Sequence, residues 1–329
     1  MRFTSTGLAA DNPDAPISVP VFADAVMRGI GQVMFQNNSY SGLLFLAGIA
    51  YAVPVLALAT LLGTAVSTAT ALPLGADRAL VRDGMFGFNG ALSAIALLVF
   101  LEPTALAWAC VIFAAAGSTV VMAALMRGLR IWNAPALTAP FVLVSWCFFL
   151  ATARLGRLEP TGLLPAAVLP KAASVEGVVN ASTVVDGLFH GVAQVFFQES
   201  IVTGVLFLAG LFLSSRSAGA AAMLGSLGGL LVAWGMGAPE AAIRAGLYGF
   251  NSVLVAIAVG CVFFAPGGKT ATYACFATVA TPVVAAAVSA AVQPFGLPGL
   301  TMPFVLVTWL FLWAGPVFPA LTEKETLKQ

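Results

Sequence analysis

Apolar residues run along this chain in long blocks, at about residues 43–61, 85–101, 106–126, 141–153, 205–213, 218–236, 247–265, 271–292 and 304–318. Few of these blocks keep a polar stripe at helical spacing, so a helix lying on a water-facing surface is a poor description of them. Several reach the roughly 20 residues that a helix needs to cross the hydrocarbon of a bilayer, and others are shorter. Polar residues gather between and outside the blocks. Residues 1–20 hold Asp11, Asn12, Pro13, Asp14 and Pro16, without the basic and then apolar order of a cleaved signal peptide. Residues 154–185 hold Arg157, Pro160, Pro165, Pro170 and Lys171 and predict a connector outside the membrane, and 323–329 form a charged tail.

The pattern is written twice. GIGQVMFQNNSYSGLLFLAG from Gly29 returns as GVAQVFFQESIVTGVLFLAG from Gly191, RDGMFGFNGALSAIA from Arg82 as RAGLYGFNSVLVAIA from Arg244, and LTAPFVLVSW from Leu137 as LTMPFVLVTW from Leu300. Three matched blocks in matched order mean an internal duplication of a large unit. The expected organisation is one membrane domain with repeat 1 at 22–151, a connector at 152–183, repeat 2 at 184–318 and a tail at 319–329. Halves that share one interface are not separate folding units.

Composition sharpens the picture. Hydrophobic residues make up 60% of the chain and charged residues 8%, against about 45–50% and 25% in soluble domains. An all-α polytopic membrane protein follows. Arg127 and Arg130 lie between two spans of the first half, and their counterparts Ser289 and Val292 are uncharged, as an inverted repeat predicts. Arg82 and Arg244, retained in both halves, give no such asymmetry.

Little conventional reactive chemistry is present. Cys110, Cys147, Cys261 and Cys275 show no metal-binding spacing and read as small buried hydrophobes. His190 is the single histidine, which excludes an ordinary histidine metal site and disfavours a Ser-His-Asp hydrolase. Asp24 and Arg28 recur as Asp186 and His190, a pattern that suits charges anchoring a helix end. No cofactor, metal or nucleic-acid partner is expected, and no enzymatic activity.

The uncharged polar residues carry more information. In hydrocarbon a repeated polar residue marks an interhelical hydrogen bond or a water-accessible path. Gln32 and Gln194, Asn89 and Asn251, and Thr138 and Thr301 all recur. For the two asparagines, in GFN, a bond to backbone at a close approach permitted by Gly87 and Gly249 is favoured. Each threonine lies between two prolines, Pro135 and Pro140 or Pro298 and Pro303, which predicts a broken helix with freed backbone groups.

The run LPGLTMPF from Leu297 fits the LPxxTxPF signature of urea transporters, and residues 135–141 repeat it with Ala134 in place of the leading Leu. With the GQVxFQ segment, the GFN block and the duplicated layout, about 290 residues resemble that family. One departure is Glu199, which replaces Asn37 in the second copy. The resemblance implies two inverted repeats, about ten transmembrane helices plus two re-entrant half-helices, a pore between the halves, and a homotrimer in a bacterial cytoplasmic membrane. Carried over, the pore positions are Gln32, Val33, Phe35, Phe88, Leu92 and Thr138, with Gln194, Val195, Phe197, Phe250, Leu254 and Thr301.

That lining suits urea, which is flat and neutral with four N–H donors and one carbonyl. Paired aromatic faces supply a slot, and hydroxyl, amide and backbone oxygens accept its N–H groups as water is stripped. Rival readings fit less well. An aquaporin-like channel needs two NPA boxes where this chain has NGA at Asn89 and NSV at Asn251, and an ammonium channel needs pore histidines. The alternatives are a channel for another small neutral polar solute and an ion-coupled secondary transporter, which usually carries intramembrane charge. Passive urea permeation is the expectation.

Overall fold

The computed structural model describes residues 6–8, 17–171 and 174–324. The polar positions 11–16 and the end of the tail, 325–329, lie outside them. The described first half contains α1 (Val19–Gln32), α2 (Ser39–Ala52), α3 (Pro54–Ala71), α4 (Arg78–Arg82), α5 (Phe88–Phe100), α6 (Ala105–Leu129) and α7 (Ala139–Ala151). The second contains α8 (Ala181–Ala193), α9 (Ile201–Ser214), α10 (Arg216–Gly235), α11 (Glu240–Arg244), α12 (Phe250–Ile257), α13 (Gly268–Val292) and α14 (Met302–Ala314). The protein is helical, with two isolated β-bridges among the described residues.

Local chemistry sets the breaks. The apolar block at 43–61 is two helices, because Pro54 begins α3 and holds Val53 extended at φ −144°, ψ 92°. Its counterpart Ser215, at φ −153°, ψ 117°, ends α9 and caps α10 by accepting from Ala218 N–H. Asn38 and Ser200 cap α2 and α9 in the same way.

Among the described residues four helices are long and apolar enough to cross a membrane: Pro54–Ala71, Ala105–Trp132, Arg216–Gly235 and Gly268–Phe295. The pair Ala181–Phe196 and Ile201–Ser214, bent by 71°, makes a fifth if it is one span. The expected ten are not reached by length. Helices such as α5 and α7, with 13 residues each, rise only about 20 Å in a hydrocarbon layer of about 30 Å. A short helix survives at that depth when other helices enclose its ends, and α5 is buried at every position except Val99.

The two halves meet reciprocally. Where α2 crosses α9, Ser41 Oγ donates to the Gly210 carbonyl at 2.7 Å and Thr203 Oγ1 to the Gly48 carbonyl at 2.8 Å, with Phe45 and Phe207 packed 5.1 Å apart between them. Small residues bring the backbones close and hydroxyls join them.

The spacing between matched residues grows along the chain, from Phe88 and Phe250 to Phe100 and Phe263. A π turn over Ala258–Val262 follows α12 and absorbs the extra residue. Leu101 then bridges Pro160 as Phe264 bridges Glu323. On this register Arg127 and Arg130 correspond to Ala290 and Gln293, which are also uncharged. The cysteines depart from the sequence expectation. Cys110 and Cys261 are half-buried, and Cys147 and Cys275 are exposed.

Candidate functional site

Two kinds of turn build the site. After α1 and α8 the chain turns through Phe35 and Phe197, both left-handed at φ 62° and 58°. Bulky residues avoid this region, at a cost of about 1–3 kcal/mol. Gln36 and Gln198 hold the turns by donating to the carbonyls of Met34 at 2.6 Å and Phe196 at 2.7 Å. The second kind lies before α7 and α14, where Leu137 and Leu300 are left-handed at φ 51° and 49°. The break expected beside the threonines is present.

Each of these proline loops is held from both halves. Asn89 Nδ2 donates to the Leu137 carbonyl at 3.2 Å and Asn89 Oδ1 accepts from Phe141 N–H at 3.1 Å. Asn251 does the same with Leu300 at 3.2 Å and Phe304 at 3.1 Å. The backbone role expected of the asparagines is therefore seen, although Gly87 and Gly249 permit a different approach, to Gly29 and Gly191. From the opposite half, Trp146 Nε1 donates to the Pro298 carbonyl and Trp309 Nε1 to the Pro135 carbonyl, both at 2.8 Å. The carbonyls freed by the broken helices thus already have donors, each with a lone pair to spare.

Thr138 and Thr301 meet at this junction, buried, with hydroxyl oxygens 2.6 Å apart. Each threonine bonds to the other rather than back to its own helix. The aromatic rings also cross over. Phe35 packs edge-on against Phe263 and Phe304 of the second half, at 6.0 and 5.9 Å, and Phe197 against Phe100 and Phe141 of the first, at 6.1 and 6.3 Å.

A cavity of about 330 Å³ opens on the second half, lined among others by Gln194, Phe197, Phe250 and Leu300, with Phe100 and the connector's Pro165. Val195, Leu254 and Thr301 are buried and do not line it, and Val33, Phe88, Leu92 and Thr138 are buried in the first half. Of the sequence candidates, Gln194, Phe197 and Phe250 therefore share one cavity, and the threonines share one hydrogen bond. Gln32 is engaged elsewhere, donating to the Asp83 carbonyl at 2.8 Å.

The charged pairs sit at the helix approaches. Asp24 and Arg28 form a buried ion pair at 2.7 Å, and Asn37 links Arg28 to the Asp83 carboxylate. In the second half Arg244 bridges Asp186 and Glu240. The Thr183 hydroxyl, and then Arg244, hold the Glu240 carboxyl below its ordinary range. His190 Nδ1 lies 2.8 Å from the Arg244 carbonyl, which requires its proton there. Glu199 is exposed and joins no ion pair among the described residues.

Sequence reading missed Phe100, Phe263, Trp146 and Trp309. The signal was available. VFLEP at Val99 returns as VFFAP at Val262, and each tryptophan closes the repeated block that begins LT.

A helical, strongly apolar chain with four helices long enough to cross a bilayer among its described residues is a polytopic membrane protein. A family model described as urea transporter matches residues 23–316. Urea transporter 1 of Ovis aries is 34% identical over 306 residues, covering 88% of this chain and 76% of the relative. Urea transporter 1 of Rattus norvegicus is 34% identical over 303 residues, covering 91% and 78%. The chain belongs to the urea transporter family, whose members are channels or transporters and not enzymes. These relatives are mammalian and support an integral membrane protein, whereas the bacterial inner membrane stays an expectation of the sequence.

Proposed function

We propose that the chain carries urea passively across the membrane, along a route between its halves that includes Gln32, Val33, Phe35, Phe88, Leu92 and Thr138 with Gln194, Val195, Phe197, Phe250, Leu254 and Thr301. Membership of the urea transporter family supports the solute. The observation that carries the route is the Thr138–Thr301 hydroxyl pair, beside two proline loops whose carbonyls each keep a spare lone pair.

The chemistry is an exchange of hydrogen bonds. Two hydroxyls bonded to each other use one proton between them and retain lone pairs that accept urea N–H groups. A solute leaving water then meets oxygens instead of bare hydrocarbon, and the desolvation barrier falls. The half-buried rings of Phe35, Phe197 and Phe250 offer flat faces to a flat solute and exclude wider ones. Reciprocal contacts at α2 with α9, at the proline loops and at the crossed rings support a two-fold relation between the repeats. As part of the same proposal that axis lies in the membrane plane, giving inverted repeats of five spans and a half-helix each. The resemblance to urea transporters adds a homotrimer with one route per subunit.

The test is stopped-flow urea flux into proteoliposomes, with thermal stability measured on the same preparations. Thr301→Val and Thr138→Val each keep shape and remove one hydroxyl. Loss of an acceptor raises the barrier by about 1–3 kcal/mol, which lowers urea flux per folded molecule by about 5-fold to 150-fold. If the hydroxyls only pin the halves together, stability falls and flux per folded molecule stays normal. Normal flux in both variants removes the threonines from the route.

A further inference from the structure

The outer faces of α6 and α7 enclose an open apolar groove of about 640 Å³ that the transport route does not use. Phe113, Phe148 and Cys110 line it, together with the exposed Arg154 and Arg157 just after α7.

The second half shows what opens it. On the register set by the two β-bridges, Tyr273 stands where the first half has Cys110, and Phe311 and Phe318 stand where it has Phe148 and Leu155. The Tyr273 ring lies 4.8 Å from Phe311, 5.6 Å from Phe264 and 6.0 Å from Phe318, and its hydroxyl donates to the Phe311 carbonyl at 2.7 Å. That ring occupies the space that Cys110 leaves free. The same register puts Val317 and Ala320 in place of Arg154 and Arg157. The small residue and the two cations occur together in one half and are missing together from the other.

Arg154 and Arg157 are exposed, and neither forms an ion pair among the described residues. The nearby acids, Glu102 and Glu159, join each other through backbone at 2.9 Å and line no part of the groove.

We propose that this groove seats one anionic glycerophospholipid, with an acyl chain against Phe113 and Phe148 and its phosphate between Arg154 and Arg157. Guanidinium groups bind phosphate oxygens through paired, charge-assisted hydrogen bonds. A net negative headgroup gains from both cations at the membrane surface, whereas the choline of a zwitterionic lipid opposes them. The seat requires only the bilayer and does not depend on the urea route.

Native mass spectrometry of the full-length protein, exchanged into defined lipid and detergent mixtures, tests it. The wild-type protein should retain phosphatidylglycerol in preference to phosphatidylcholine. Arg154→Gln with Arg157→Gln should weaken that retention by roughly 30-fold, the sum of two surface cations. Cys110→Tyr should abolish it with both arginines in place, by filling the groove as Tyr273 does. The arginine pair is exposed, so the double variant decides the outcome even if Cys110→Tyr lowers the thermal midpoint. Equal retention of the two lipids by the wild-type protein overturns the proposal, as does unchanged phosphatidylglycerol retention in the double variant. A change of oligomeric mass in Cys110→Tyr with lipid retention unchanged also overturns it, and assigns the groove to a second copy of the chain.

Discussion

Phe88 and Phe250 occupy matched positions at the starts of α5 and α12, yet their surroundings differ. Phe88 is 6% exposed, whereas Phe250 is half-buried and lines the second-half cavity. Replacing a packed Phe with Ala costs about 3–5 kcal/mol in a core, and less where one face already meets open space. Phe250→Ala is therefore expected to widen the route, raising the ratio of dimethylurea to urea flux while the protein stays folded. Phe88→Ala should lose more stability and change that ratio less. Flux ratios and thermal midpoints measured side by side check both, and an unchanged ratio in Phe250→Ala returns this ring to the core.

The proline loops before α7 and α14 work as elements. Each is gripped from its own half by an asparagine and from the other half by a tryptophan, so the distance between Thr138 and Thr301 is set by both repeats at once. Removing one indole N–H leaves a carbonyl without its donor, for about 1–3 kcal/mol. Trp146→Phe and Trp309→Phe should lose similar stability, because the two bonds are equally long at 2.8 Å. Both should also lower urea flux per folded molecule, since a loosened loop carries its threonine away from its partner. Thermal unfolding together with flux distinguishes this from a local defect, in which one variant alone changes or flux holds while stability falls.

At the scale of the molecule, the ion pairs of the described residues sit at helix approaches, Asp24 with Arg28 and Arg244 with Asp186 and Glu240. Among the described residues, no ionisable side chain lines the second-half cavity. Coupling to a proton or sodium gradient needs a group on the route that changes its charge or binds the ion. Urea should therefore equilibrate, and its flux should not respond to an imposed pH or sodium gradient. Accumulation of labelled urea against its gradient in proteoliposomes under a pH gradient overturns the passive reading.

The sequence by itself carried the membrane setting, the matched blocks and the resemblance to the family, because apolar blocks, repeated motifs and the proline-threonine signature are properties of residue order. It also singled out Asn89, Asn251, Thr138 and Thr301 as residues that need partners, since polar groups repeated in apolar surroundings must be satisfied. Which partners they take was decided only by tertiary structure. Asn89 reaches Leu137 across 48 positions and Thr138 reaches Thr301 across 163, and no local pattern encodes a contact between distant segments. The crossing of Phe35 and Phe197 into opposite halves depends on backbone turned left-handed at bulky residues, which local preference argues against and packing overrides. The helix boundary inside the apolar block at 43–61 was hidden from hydropathy for a similar reason. A block of apolar residues records what surrounds a chain, and Pro54 shows that one block can hold two helices.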